Sequence, residues 1–500
     1  MEVFDNLALG FGVVLTFDNL GYCLIGVLLG TLIGVLPGLG PVATIAMLLP
    51  ITFTLPAVSS LIMLAGIYYG AQYGGSTTAI LINVPGESTS VVTALDGYQM
   101  ARKGKAGTAL ATAAIGSFFA GTVATVLIVF FAPPLSELGL KFGSAEYFSL
   151  MLLGLVACVT LASGSLIRAI GMMLVGLLFG MIGTDVTSGT ERFTFGIDVV
   201  REKLDFVIVA MGLFGLGEII RNLEDESTRE SSVKKISSLL PSKDDLKAMT
   251  KPILRGTALG SFLGILPGNG ALLASFAAYS MEKKLSKNPQ EFGKGAIAGV
   301  AGPESANNAG AQTSFIPMLT LGIPSNPVMA LMIGAMIIQG IVPGPAVVTE
   351  QPQLFWGIIA SMWVGNLMLI ILNLPLIGLW VRLLTVPYHM LYPAILVFCA
   401  IGVYSLNNQP HEVMLTAGFG ALGYMFARLK CEPAPLLIGL ILGPMMEENL
   451  RRAMTLSHND PTVFLTRPIS LGLLICTVGM LIVVLLPAVR KKREEAFQED

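Results

Sequence analysis

The residues able to do chemistry in this chain are set in sequence that otherwise resembles hydrocarbon. One group is Gln72, Ser76, Thr77, Thr78, Asn83, Ser88 and Thr89, within "YYGAQYGGSTTAILINVPGESTS". The other is Asn307, Asn308, Gln312, Thr313, Ser314, Ser325 and Asn326, within "ESANNAGAQTSFIPMLTLGIPSNP". Hydroxyls and amides donate to carboxylates, while their oxygens and free backbone carbonyls coordinate Na⁺. Glu87, Asp96 and Glu304 are close by in sequence. Intramembrane carboxylates are costly and functional by default. Glu304, in "AGPESANNAG", reads as a cation ligand or a protonatable coupling group, against the plainer alternative of a helix cap or local pair. Asp96, six positions before Arg102, reads as closer to the surface. Any single Ser or Thr is better explained by helix packing. The binding assignment rests on the two groups as clusters.

Two interruptions position these side chains. "GVLPGLG" (Gly34–Gly40) and "GILPGNG" (Gly264–Gly270) each break an apolar run. Pro removes a backbone donor and Gly loosens the chain, so each should end a helix. A half-helix that starts at such a break exposes unpaired N–H groups and about half a unit of positive charge, which can hold an anion without a buried Lys or Arg. Gly38 and Gly268 therefore join the substrate-binding set of Gln72, Ser76, Thr77, Asn83, Ser88, Asn308, Gln312, Thr313, Ser314, Ser325 and Asn326. Pro37, Gly86, Pro267, Glu304 and Asn307 form the expected coupling-ion set, and no catalytic or metal set emerges.

The surroundings of these breaks define the fold class. Of 500 residues 54% are hydrophobic and 12% charged, about half the charge of a soluble protein. Apolar stretches recur at Leu20–Gly34, Thr108–Ala132, Tyr147–Ala162, Phe206–Ile220, Leu354–Leu372 and Ile469–Leu486. The chain reads as an all-α polytopic membrane protein of about 10–12 transmembrane helices plus re-entrant hairpins, without the alternating segments of a β-barrel. A net charge of −2 says nothing about partners. The N-terminus lacks a basic n-region, so the first helix itself is the expected targeting signal. Five scattered cysteines and three dispersed histidines suggest neither a disulfide framework nor a metal cluster.

Basic clusters begin only at "ARKGKAG" and recur over Arg221–Arg255, Lys283–Lys294 and in the tail "VRKKREE". The positive-inside rule puts these in the cytoplasm and the N-terminus outside. Arg255 and Lys283 then share a side, so the run between them, broken at Pro267–Gly268, should dip to mid-membrane and return as two half-helices of about eleven residues. The first break reads as a hairpin entering from outside, although Leu20–Leu36 is long enough to span alone.

The two breaks lie 230 positions apart, and a second landmark, Gly-Ala-Gln at 70–72 and 310–312, recurs at 240. A proline turn follows each Gln, at Pro85 and Pro324. The chain divides into a first repeat, 1–220 (hairpin around 34–40, polar break 70–89), and a charged cytoplasmic linker, 221–251. A second repeat follows at 252–450 (hairpin around 264–270, polar break 303–326), then a loop, a final helix and a basic tail at 451–500. Paired Gly/Pro-interrupted segments in two inverted-topology halves are the best sequence pointer to a transporter site.

With "GVLPGLGPVATIAMLLPITF", "DGYQMARKGKAG", "GILPGNGALLASFAAY" and "GPESANNAGAQTSFIPMLTLGIPSNPVMALMIGA" in view, the chain resembles the TctA-type family, the large membrane subunit of tripartite tricarboxylate transporters. The resemblance implies secondary active uptake of a tricarboxylate such as citrate, or a related organic acid. It implies Na⁺ or H⁺ as coupling ion, with no other cofactor. The implied partners are a small TctB-like membrane subunit and a TctC-like extracytoplasmic solute-binding protein, in a bacterial inner membrane with its lipid and with no nucleic acid. A passive organic-anion channel is the alternative. An intramembrane enzyme is disfavoured, because neither paired aspartates nor a His/Glu constellation is visible.

Overall fold

The computed structural model describes residues 2–36, 40–161, 165–185, 188–196, 200–201, 203–224, 239–268, 270–383 and 388–485. The chain is almost wholly helical. The first part comprises α1 (Glu2–Val14), α2 (Phe17–Val35), α3 (Pro41–Thr52), α4 (Ala57–Ile82), α5 (Val91–Arg102), α6 (Ala106–Gly139), α7 (Ser144–Leu161), α8 (Leu166–Gly180), α9 (Phe206–Ala210) and α10 (Gly217–Glu224). A π-helical turn, Met211–Leu216, joins the last two. The second part comprises α11 (Lys243–Leu263), α12 (Gly270–Leu285), α13 (Ala298–Thr313), α14 (Phe315–Leu321), α15 (Pro327–Ile338), α16 (Ala346–Glu350) and α17 (Pro352–Asn373). It continues through α18 (Ile377–Leu383), α19 (Tyr388–Asn407), α20 (Pro410–Arg428), α21 (Ala434–Leu456), α22 (Val463–Thr466) and α23 (Pro468–Leu485). The only sheet among the described residues pairs Gly183–Thr184 with Glu191–Arg192.

Among the described residues four segments are long and apolar enough to cross a bilayer: Phe17–Val35, Ala106–Gly139, Phe206–Glu224 and Pro352–Asn373. Shorter apolar helices, among them Ser144–Thr160 and Pro468–Ile482, accompany them. This is a polytopic α-helical membrane protein.

Two helices are buried on every face. In α4 all residues from Ser59 to Leu81 are buried, and in α13 all from Gly299 to Thr313. Helices with no exposed face belong to an interior, and these two lie at the centre of the described structure. Each is held by a ladder of glycines on another helix. Gly26, Gly30 and Gly34 of α2 lie against the backbone of Met63, Ile67 and Ala71 of α4. Gly256, Gly260 and Gly264 of α11 lie in the same way against Gly302, Ala306 and Gly310 of α13. The three glycines are displaced by 230 positions and their three partners by 239. In a membrane, backbone approach through small residues is the main source of helix–helix affinity. Both central helical segments also end alike, with Asn83 (φ 60°) and Gly322 (φ 70°) in left-handed caps 239 positions apart.

The 239 register corrects the Gly-Ala-Gln landmark. Gln72 falls opposite Ala311, and Gln312 opposite Tyr73. One residue is about 100° around a helix, so the two glutamines face different neighbours.

The second break is a helical hairpin. Gly270 touches the carbonyl of Leu263, and farther along the two arms Arg255 grips Glu282 through two hydrogen bonds, 2.7 and 2.5 Å. The arms run 21 and 16 residues, longer than the eleven expected. Ser242 and Asp245 form a capping box that starts α11 at Lys243, so part of the segment expected as linker is helix; residues 225–238 of it lie outside the described residues. At the first break α2 ends at Val35 and α3 starts at Pro41, and the tip with Pro37 and Gly38 lies outside the described residues. The basic tail from 486 does as well.

Candidate functional site

The polar groups of the two central helices meet through Glu304. Its side chain is fully buried on α13 and accepts hydrogen bonds from Ser76 of α4 (2.7 Å), Thr93 of α5 and Ser117 of α6 (3.5 Å). Asn308, one turn on, donates to Ser117 (2.7 Å) and to the Glu304 carbonyl (3.1 Å). Four helices thus supply one carboxylate and its donors, which rules out a local helix cap as the role of Glu304.

A second carboxylate lies one turn away. Glu87, in the segment after α4, accepts from Thr89 and from the Asn307 amide (3.2 Å). Thr89 also reaches Gln72 Oε1 (3.2 Å). Among the described residues every ion pair joins other carboxylates, and neither Glu87 nor Glu304 has a basic partner. Two further acceptor oxygens, Asn307 Oδ1 and Gln312 Oε1, are buried without a hydrogen-bond partner. An unsatisfied buried oxygen costs about 1–3 kcal/mol, so Asn307 Oδ1, on an amide that already donates to Glu87, marks a place where a cation or donor would be stabilised.

The segments after the left-handed caps mirror one another. Glu87 (φ −149°, ψ 163°) and Asn326 (φ −155°, ψ 171°) share an extended conformation 239 positions apart. Glu87 meets Asn307 of the other central helix, and Asn326 meets Tyr68 (3.4 Å), which is the 239-register counterpart of Asn307. The exchange is reciprocal: each turn reaches the opposite helix at the equivalent place. Asn326 also caps α15 through Met329 N (2.9 Å). Ser325 donates to the Ser314 carbonyl (3.2 Å), and Gly268 at the hairpin tip donates to the Ser325 carbonyl (2.8 Å) with φ 101°. Gly86 must be glycine, because an added Cβ would sit 2.6 Å from Gly75 Cα and against the Gly34 carbonyl.

Several expected site residues are placed otherwise. Asn83 is exposed and serves as the left-handed cap of α4, and Ser88 is exposed at the start of a short 3₁₀ turn. Thr77, Thr313 and Ser314 spend their hydroxyls on carbonyls of the preceding turn, Tyr73, Ala309 and Ala311. Thr78 does the same toward Gly75. Pro267 is half-buried in the hairpin turn. Asp96 is fully buried, not superficial, and ties Gly295 N (2.6 Å), Ala296 N (2.8 Å) and Tyr279 Oη (2.9 Å) together ahead of α13. Thr93, Ser117 and Tyr68 also belong to the cluster, outside the set expected from the sequence. Their sole signal is a polar atom in an apolar stretch.

Cavities among the described residues lie at the cluster and away from it. One, of about 10 Å³, lies among Tyr73, Ser76, Thr77, Ser117 and Asn373, space for a single water. A larger one, about 450 Å³, lies between Phe206, Ile338 and Leu440, away from the cluster. Its charges are mostly satisfied internally, Arg192 and Arg451 both pairing with Asp185 and Glu447. The polar chemistry is at the small cavity.

The model of the tripartite tricarboxylate transporter TctA family matches residues 20–438, a span that includes both breaks, both glycine ladders and every residue of the cluster. The chain belongs to the TctA family. It is 62% identical over 500 residues, the whole of both chains, to an "Uncharacterized 52.8 kDa protein in TAR-I ttuC' 3'region" of Agrobacterium vitis. It is 65% identical over 241 residues, 48% of this chain and all of the relative, to an "Uncharacterized protein in TAR-II ttuC' 3'region" of the same organism. No solved structure matches. Membership of the TctA family places the chain among transporter proteins, as a tricarboxylate-transporter subunit of the tripartite kind.

Proposed function

We propose that the chain carries a tricarboxylate, or a related organic acid, into the cell by symport with Na⁺ or H⁺. The observation that carries this reading is Glu304: a buried carboxylate with hydroxyl donors from three other helices and no basic partner. Burying an ionised carboxylate unpaired is prohibitive. A bound cation or proton removes that cost, and it also offsets the charge of an anionic solute. Solute carboxylates would be met by the amide and hydroxyl groups of Gln72, Ser76, Asn308, Gln312, Ser325 and Asn326 and by the N-terminus of α15. Glu304 would hold the coupling ion, with Gly86, Pro37 and Pro267 in the same set, and Gly38 and Gly268 would join the groups that meet the solute.

The paired ladders and caps support two repeats, 1–220 and 252–450, of inverted topology, with α11 and α12 as a re-entrant hairpin whose arms open on the cytoplasm. Lys103 donates to the Lys294 carbonyl (2.5 Å), so those basic segments share a face. By the positive-inside rule that face is cytoplasmic, the N-terminus outside and the C-terminus inside, in a bacterial inner membrane. The cavity of about 10 Å³ beside Ser76 is too small for a tricarboxylate, so a solute site there would form only as the central helices part. A TctB-like membrane subunit and a TctC-like solute-binding protein would complete the assembly.

Reconstitution with those partners, an imposed Na⁺ or H⁺ gradient and labelled citrate tests the reading. Accumulation above equilibrium is expected, abolished by Glu304→Gln and reduced by Gln312→Ala or Asn326→Ala at unchanged expression. Flux that stops at equilibrium would identify a channel instead.

A further inference from the structure

We propose that Glu87, with Thr89, Gln72 and Asn307, forms a second monovalent-cation site, separate from the Glu304 cluster, so that the chain holds two positive charges. The inference rests on the transport reading for its purpose but on its own geometry for its existence. Glu304 and Asn307 are three residues apart on α13, and Ser76 and Gln72 four apart on α4. Each spacing is about one helical turn, roughly 5–6 Å. The two carboxylates are therefore stacked, each with its own hydroxyl and amide neighbours, and two bare negative charges at that spacing would repel strongly.

Two observations point to a ligand at Glu87 itself. The first is Asn307: its Nδ2 is spent on Glu87, while Oδ1 of the same amide is fully buried and has no partner. A cation beside Glu87 would satisfy that oxygen together with the carboxylate, the Thr89 hydroxyl and Gln72 Oε1. Such an all-oxygen set suits a hard ion, and a proton on Glu87 is the other form of the same charge. The second is the reciprocal contact in the other half. At the equivalent position Asn326 makes the crossing to Tyr68 with a neutral amide. The architecture therefore needs only an amide there, and the acid at 87 adds charge without being required for the fold. The same comparison makes Glu87→Gln a variant expected to fold.

The test uses full-length purified protein in detergent, without solute. Equilibrium binding of ²²Na⁺ at alkaline pH counts sodium ions. The infrared carboxylic-acid band of Na⁺-free protein at neutral pH reports protonated carboxyls. If Glu87 takes Na⁺, the wild type binds two ions, Glu87→Gln one and Glu304→Gln one. If it takes a proton, Glu87→Gln removes a carboxylic-acid band at unchanged sodium count. A Glu87→Gln protein that loses neither signal overturns the proposal. Thr89→Val, which keeps shape and drops one oxygen, should weaken the Glu87 signal and leave that of Glu304; the reverse would also overturn it. Because no solute is present, a chain that keeps both signals yet accumulates none of a panel of tricarboxylates and related organic acids would refute the transport reading and leave this site standing.

Discussion

Gly70→Ala tests the idea that backbone contact between α2 and α4 sets the site. An added methyl would lie 2.6 Å from the Val27 carbonyl, 2.7 Å from Thr31 N and 2.9 Å from Gly30 Cα. A carbon–oxygen contact settles near 3.3 Å, so the helices must part by about 0.7 Å. All three obstacles are backbone, and no rotamer change relieves them. Overpacking of this kind costs roughly 1–3 kcal/mol. Alanine in place of glycine inside a helix returns about 0.5–1 kcal/mol, which leaves a net loss of up to about 2.5 kcal/mol, centred near 1 kcal/mol. Gly418, in α20, is the control, since nothing lies within 4 Å of its added carbon. There only the propensity gain remains, about 0.5–1 kcal/mol. Thermal unfolding of the two purified variants should move in opposite directions from wild type. If Gly70→Ala melts at or above wild type, close backbone packing does not hold α4 in place. The displacement would then not be the means by which Gln72 and Ser76 are aligned.

Other consequences follow from single contacts. Arg255→Met leaves Glu282, only 2% exposed, without its cation. Breaking a buried pair costs about 3–5 kcal/mol, reduced to about 2–3 because Arg255 is 36% exposed; melting should recover in Arg255→Met/Glu282→Met, and an unshifted single variant would contradict the hairpin clamp. Asp96→Ala strands the donors of Gly295, Ala296 and Tyr279. At about 1–3 kcal/mol each it should lower the melting point more than Arg255→Met does. Asn83→Gly relieves a left-handed residue and should stabilise by up to about 1 kcal/mol with uptake unchanged; lost uptake would return Asn83 to the site.

The breaks show how far sequence reasoning reaches. Pro and Gly act on their own backbone, so the end of α11 near Leu263 and the restart at Gly270 were legible from "GILPGNG" alone. Hydrophobic length likewise announced α2, α6, α17 and the Phe206–Glu224 span, because each must satisfy its own hydrogen bonds. The burial of Ser76 and Gln312 was also foreseeable from polar atoms in apolar runs. Asn83 misled because the same amide that suits a ligand also tolerates the left-handed cap, and only the fold says which use applies.

What the sequence determined by itself was local or periodic: a helical membrane chain, two Pro/Gly discontinuities and a duplicated polar pattern. Only the tertiary structure decided which residues meet. The 239 register, which moved Gln72 and Gln312 out of equivalence, depends on glycines of α2 and α11 that choose their partners by backbone fit. Glu304 has donors from α4, α5 and α6, and Glu87 crosses to Asn307, over separations that no local pattern records. Contacts of that kind are selected by packing between helices, and packing is a property of the assembled surfaces.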